Sequence, residues 1–532
     1  MALLTLLSQH AFGLDVIEAK GLVYHDTNGN SKYDSGEPGV PGVGVSNGEG
    51  IVETDAEGRY VLDVDDDTVL FVIKPAGWQV PLSPKTNLPQ FYYNHKPEGS
   101  PKLHFGGVAP TGPLPESVDF PLVKAEESGP LKVVCLGDTQ PRNQEEVDYV
   151  SHAIVEELAG VDAHFGMTLG DLVFDDLRVL EPITQSIGLI GIPWYHVIGN
   201  HDNNYDAPTR WHADDTYERI FGPSYYSFNY GDVHFIALND IFWEVETREY
   251  HAELGEPQLT FIRNDLARVP QDKLVVLLMH IPFKDLVDLP QLFEMLAPFP
   301  KTFSIAAHWH RQEHFFLGKD KGWKQEEPHH HLVSATACGS WWTGNQDPVG
   351  IPVATMADGA PNGYSLITFN GTDYEVEYKV ARRPADYQMN IFAPEVITTA
   401  EASQTEVVVN VFAGSERSIV EMRAGDSDEW QPLAKYQGPD PYFVKQDERE
   451  RMLLTEIARD SGIEQIDDEV LKAVQKKYQP LLGRGLPEPA ETGHLWKGTL
   501  PAGMEPGYHL LHVRTKDMFG NEYTAKRVIR VE

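Results

Sequence analysis

Apolar residues fall into two textures along this chain. From residue 16 to 125, short runs rich in Val, Ile and Tyr (21–24, 58–64, 69–74) alternate with Gly, Asn and Pro turns, which predicts a small β-sandwich. Between 75 and 121, proline and glycine are dense and periodicity fades, so this stretch reads as a long connection. From 126 to 386 the runs become continuous: 132–136, 163–169, 194–198, 233–238, 274–279 and 302–306, separated by loops or by helical segments such as 145–158. Strands buried on both faces of a layered α/β domain read this way. From 387 to 532 the short-strand pattern of a β-sandwich returns at 406–412, 418–423 and 508–515, interrupted by a charged, helix-like insertion at 445–478.

Composition narrows the range of functions. The 532 residues hold 43 Lys and Arg against 80 Asp and Glu, a net charge of −37, which repels polyanions and argues against a nucleic-acid groove. No window approaches the ~20 apolar residues of a membrane span. The apolar stretch 2–7, followed by Ala11, Phe12 and Gly13, reads as a signal-peptide remnant over 1–15, although no Lys or Arg stands near Met1. It predicts a periplasmic or secreted protein. Cys135 and Cys338 both lie in apolar stretches and read as buried thiols, with their pairing and the oligomeric state left open.

The chemistry follows from where polar residues sit relative to the apolar runs. Asp138 and Gln140 follow the first run, Asp171 the second, and Asn200, His201 and Asp202 the third; His280 ends the fifth, and His308 and His310 follow the sixth. Ligands of α/β sheets gather at the carboxyl ends of strands, so one crevice can collect all of them. Two divalent cations ~3.5–4 Å apart need a shared anionic ligand and a mixed carboxylate–imidazole set. Asp171 is the natural bridge, with Asp138, Gln140 and His310 on one side and Asn200, His280 and His308 on the other. Such a pair would supply hydroxide at neutral pH for an in-line attack at phosphorus, with His201 protonating the leaving oxygen and Asp202 orienting its ring.

The ordered set Gly137-Asp138-Thr139-Gln140, Gly170-Asp171 with Asp175, Gly199-Asn200-His201-Asp202, His280, and Ala307-His308-Trp309-His310 resembles the motifs of the calcineurin-like metallophosphoesterase family, as found in bacterial members with accessory β-domains. The resemblance covers about 131–383. It implies a four-layer sandwich of two sheets flanked by helices, two metal ions (Mn, Fe, Zn or Mg undistinguished), and hydrolysis of small phosphate monoesters or diesters. Two positions depart from the family pattern: Gln140 stands where His is usual, and Ala307 where Gly is usual. Any one element alone would be weak evidence, because a single histidine is as often a packed core residue and an aspartate after a strand is often a helix cap.

Other residues attract a function less strongly. Arg142, Trp309, Trp341 and Trp342 are candidates to line a cleft for an organic phosphate. His329, His330 and His331 read as a pocket wall or solvated loop. Asp26, Asn28, Asn30, Lys32, Asp34 and Glu37 stand at positions 1, 3, 5, 7, 9 and 12 of a calcium loop and resemble bacterial calcium-binding B-type repeats, with Ser31 where an EF-hand has Gly. Two rivals remain. A metallo-β-lactamase-like site on His308, His310 and His314 has poor spacing and leaves Asp138, Asp171 and Asn200 idle. A non-catalytic surface adhesion protein carrying a relic phosphoesterase domain leaves a complete ligand set unexplained.

Overall fold

The computed structural model describes residues 17–425 and 427–532; the leader expected over 1–15 lies outside them. The chain is α/β with several sheets. Its first part forms two four-stranded sheets, one centred on Ile17–His25 and Phe120–Lys124, the other on Gly44–Ser46 and Thr68–Val72. Alternate burial along Arg59–Val64 is what a sheet with one covered face requires.

The stretch 75–121 is more than a connection. It contains the strands Trp78–Gln79 and Tyr92–His95 and packs on the central part of the chain. Lys96, 3% exposed, pairs there with Asp67, Asp215 and Glu218. Asn87 donates through Nδ2 to the Gly188 carbonyl. Proline and glycine hide this from periodicity, because side-chain and backbone contacts to another sheet system replace a regular ladder.

The central part holds a five-stranded sheet, in the order Trp194–Val197, Phe165–Leu169, Leu131–Leu136, Gly363–Asn370, Asp373–Val380, and a six-stranded sheet in which Val233–Ala237, Leu274–Leu278, Thr302–Ala306 and His329–Val333 run parallel. Residue parity explains the packing. Val133, Cys135, Phe165 and Met167 point to the six-stranded sheet, where Phe165 meets Phe235 edge-on at 5.4 Å. Val134 and Leu136, one residue out of phase, pack against Val147, Val150, Ile154 and Ile183 of the helices on the other face. The first helix begins at Gln144, with the Asn143 side chain accepting from the Glu146 N–H, and runs through a π-turn at Ser151–Val155 to Leu158.

Beyond residue 388, a four-stranded and a five-stranded sheet enclose a separate core that includes Val409, Met422, Trp496 and Val513. A helical hairpin, Pro441–Asp460 and Asp468–Leu482, projects from it, and each helix is capped by the aspartate that precedes it. Among the described residues no helix is long and apolar enough to cross a membrane. Cys135 and Cys338 are buried and free.

Candidate metal centre

Five strands end at one place. The five-stranded sheet delivers Asp138, Gln140, Asp171 and Asn200 from the ends of its three parallel strands, and the six-stranded sheet delivers His280, His308 and His310. Asp138 and His280 are fully buried, and Asp171, Asn200 and His310 nearly so. Gln140, Asp171, His308 and His310 all have positive φ (42–62°), a conformation costly for side chains with a Cβ and retained where surroundings enforce it. At Gly199 no side chain fits, because a Cβ would lie 2.1 Å from the Asp171 backbone nitrogen.

Donor atoms face donor atoms here. His280 gives its Nδ1 hydrogen to the Leu169 carbonyl (2.8 Å), so the neutral ring presents a lone pair at Nε2. That nitrogen faces Asp171 Oδ1 at 3.3 Å, Asn200 Oδ1 at 3.1 Å and His308 Nδ1 at 3.1 Å. His310 repeats the arrangement: Nδ1 donates to the Gly339 carbonyl (2.5 Å), and Nε2 lies 3.0 Å from Asp138 Oδ2. The Asp138 oxygen is buried and, although close to the ring, makes no hydrogen bond of acceptable geometry. With neutral rings, lone pairs would confront one another in a buried site, which a divalent cation between them relieves; without one, His280 takes up a proton at Nε2 and pairs with Asp171. Asp171, His280 and His308 bring ligand atoms within 4.8 Å of one another. The residues therefore fit divalent metal ions. Gln140 is also in place, with its amide against Asp171 Oδ2 at 2.8 Å; turning that amide over would present its oxygen.

The charges respond accordingly. Burial disfavours an ionised Asp171, but His280, His201 and His308 outweigh it and hold the carboxyl well below its usual range. Burial also opposes a charged His280, yet Asp171 opposite raises it to about 10.

His201 lies beside this set. Its backbone N–H donates to Asp171 Oδ1 (2.9 Å), and its ring Nδ1 donates to Asp175 Oδ1 (2.5 Å) and stacks on Phe174 at 4.5 Å. Asp202 does not orient that ring. Its carboxylate instead accepts from the backbone N–H groups of Leu172, Val173 and Gly199, and burial followed by repulsion from Asp171 pushes it up to about 7. The orienting residue is Asp175, which also accepts from the Tyr205 hydroxyl (2.5 Å). Its place four residues after Asp171 was the only sequence signal; nothing in the sequence pointed to Phe174, Tyr205 or Tyr250. The Tyr250 ring meets His308 edge-on at 6.1 Å.

The aromatic candidates separate. Trp341 lies over His310 (4.2 Å between rings), and Arg142 donates to its carbonyl at 2.9 Å while resting on Phe174 at 4.1 Å. Trp309 is part-exposed, with its indole N–H on Asp285. Trp342 is 3% exposed and bonded to the Thr139 carbonyl, so it buttresses the site from inside. His329, His330 and His331 are neither loop nor ligands to this centre; they occupy a buried strand, bonded to Thr302, Ser304, His314, Tyr374 and the Phe283 N–H. In the calcium-like loop, Asp26 accepts from the N–H groups of Gly29, Asn30 and Ser31, and Glu37 from those of Thr27 and Asp34, while the Asn28 and Asn30 amides hold Asp34. Lys32 is exposed. A cleft of about 870 Å³ between Glu146, Trp342, Gln475 and Arg484 contains none of the candidate metal ligands.

Residues 26–107 match the N terminal of Calcineurin-like phosphoesterase, and residues 331–469 match the C terminal of Calcineurin-like phosphoesterase. The two matches together cover less than half of the chain and are consistent with the calcineurin-like phosphoesterase family. At the level of that family, the activity is metal-dependent hydrolysis of phosphate esters at a dinuclear centre. Among solved structures, a purple acid phosphatase PPD1 from yellow lupin (Lupinus luteus) seeds is 13% identical, covering 64% of this chain and 67% of its own, with a TM-score of 0.35. PhoD is 12% identical, covering 68% and 85%, with a TM-score of 0.36. No curated protein matches the chain.

Proposed function

We propose that this chain is a calcineurin-like phosphoesterase that hydrolyses small phosphate monoesters or diesters with the help of two divalent cations, which would share Asp171. One observation carries the reading: His280 and His310 each spend Nδ1 on a backbone carbonyl and turn Nε2 toward an acidic oxygen. When bound, the cations activate water and neutralise charge on the phosphoryl oxygens. Asp138, Gln140 and His310 would hold one ion; Asn200, His280 and His308 the other. The four-layer arrangement we infer brings the strand ends of both sheets to this point.

The remaining residues act directly. His201, fixed by Asp175 and by its own backbone N–H on Asp171, keeps Nε2 free to give a proton to the leaving oxygen as the phosphorus–oxygen bond breaks. The oxygen of water ends on phosphorus, and the alcohol leaves neutral. Trp341, Arg142 and Trp309 border the space for its organic part. Export rests on the leader-like sequence alone, and calcium at residues 26–37 on spacing alone.

Hydrolysis of p-nitrophenyl phosphate and its bis ester, abolished by a chelator and restored by divalent metal, tests this function. Asn200→Ala and His201→Ala should lose turnover while keeping their fold. Chelator-resistant hydrolysis, or no hydrolysis of either ester or of a wider ester panel, would favour the adhesion reading instead.

A further inference from the structure

The loop bearing His308 and His310 is strained at both ligands, with φ of 62° and 50°. On its entry side the His308 N–H donates to Asp138 Oδ1, and the Ala307 N–H to the His280 carbonyl. On its exit side the hold comes from another sheet system. The backbone N–H of Gln312, two residues past His310, donates to Asp358 Oδ2 at 2.9 Å, and the Gln312 side chain accepts from the Ala335 N–H at 2.7 Å. The same Asp358 oxygen meets His494 Nε2 at 3.1 Å, and His494 Nδ1 meets Asn410 Oδ1 at 2.7 Å. Asn410 in turn donates to the Asp358 carbonyl and to Asp440 Oδ2, whose other oxygen caps helix Pro441–Asp460 through the Phe443 N–H. Gln312, Asp358, Asn410, Asp440 and His494 are each 1% exposed.

Apart from the Gln312 amide nitrogen, which has no partner, the buried groups of this network are bonded to one another, and that fixes their geometry. Asn410 cannot turn over without presenting its oxygen to two acceptors. His494 therefore meets acceptors at both ring nitrogens and locks Asp358 in one position. A strained loop keeps its conformation only where the surroundings over-determine it.

We propose that His494, contributed by the C-terminal sheets, is a positioning residue for the metal centre: through Asp358 and Gln312 it holds the His308–His310 loop in its ligating conformation. The inference rests on the functional reading above. It makes the C-terminal part of the chain a component of the centre. Each metal set takes one ligand from this loop, so both ions depend on it.

The test is calorimetric titration of manganese(II) and zinc(II) into chelator-stripped full-length protein. His494→Ala should weaken both sites about tenfold, the low end of what removing a group bonded directly to a ligand costs, because it acts through Asp358 and Gln312. Val513→Ala, which truncates a buried residue in the same C-terminal core away from the network, is the control for general loosening and should stay within about twofold of wild type. If His494→Ala does not fold, His494→Gln, which can serve only one of the two acceptors, is expected to act in the same direction. Wild-type affinity in the His494 variants, or equal weakening in Val513→Ala, overturns the proposal. A wild type that binds neither metal overturns the functional reading itself, and this one with it.

Discussion

The six-stranded sheet carries two groups of histidines with opposite fates. His280, His308 and His310 sit past the carboxyl ends of their strands; His280 faces Asp171, His310 faces Asp138, and His308 turns its Nδ1 to His280. His329, His330 and His331 sit within the neighbouring strand and face hydroxyls, another histidine and aromatic rings. Both groups are largely buried, and the sequence reads the first as metal ligands and the second as a pocket wall or solvated loop. What separates them is the partner at the second nitrogen: a carboxylate with lone pairs to spare makes a cation site, whereas a hydroxyl that can donate or accept satisfies a neutral ring. The loop at 26–37 belongs with the second group, since Asp26 and Glu37 already accept backbone N–H groups and Asp34 the amides of Asn28 and Asn30.

Replacing residues of the two groups should therefore diverge widely. Asp171→Ala should cost on the order of 10³-fold in kcat/KM or more, because it removes the shared anion and unpairs two histidines. His329→Leu should leave metal content unchanged in elemental analysis and turnover within about twofold. Comparable losses from the two would erase the distinction. His201→Ala should lose about 10²-fold with an alkyl phosphate and less with p-nitrophenyl phosphate, whose leaving group needs little protonation. Asp175→Asn should lose about tenfold, and Asp202→Asn should act through stability more than through turnover.

The convergence of the candidate ligands was legible because each follows an apolar run long enough to be a buried strand, and strand ends converge whatever the distance in sequence. The orienting aspartate was not legible. Asp202 adjoins His201 in sequence, yet the 3-10 turn at Asn200–Asp202 aims its carboxylate at Leu172 and Val173, while Asp175, with φ of 62°, turns back to the ring. Trp342 and Trp341 are neighbours with opposite environments, which no periodicity at a loop could assign. His494 carried no signal at all, because its role depends on docking between two sheet systems.

The comparison can be sharpened by pH. Burial lowers His196 and His329 to about 3, and burial together with His494 lowers His314 to about 4; burial also drives His330 and His331 well below their usual value. In the unfolded chain these rings take up protons near 6.5. Between those values the unfolded state binds more protons, so their contribution is complete above pH ~6.5 and is lost as pH falls toward 4, by at most about 1.4 kcal/mol per unit per ring. Raised groups such as Asp202 and His280 act in the opposite sense, so the test is a difference: in thermal unfolding of chelator-stripped protein from pH 7.5 to 5, Tm of His329→Leu should rise relative to that of wild type as pH falls. The smallest effect concerns calcium. A loop whose carboxylates are already bonded gains little, so millimolar calcium should raise Tm less than filling the metal centre does, where a ligand at 100 Kd adds about 2.7 kcal/mol.

Anomalous diffraction from crystals of metal-loaded protein tests the central claim most directly. Two peaks ~3.5–4 Å apart are expected, both within coordination distance of Asp171, one also touching Asp138 and His310 and the other Asn200, His280 and His308. A single peak away from Asp171, or metal bound only elsewhere in the chain, would contradict it.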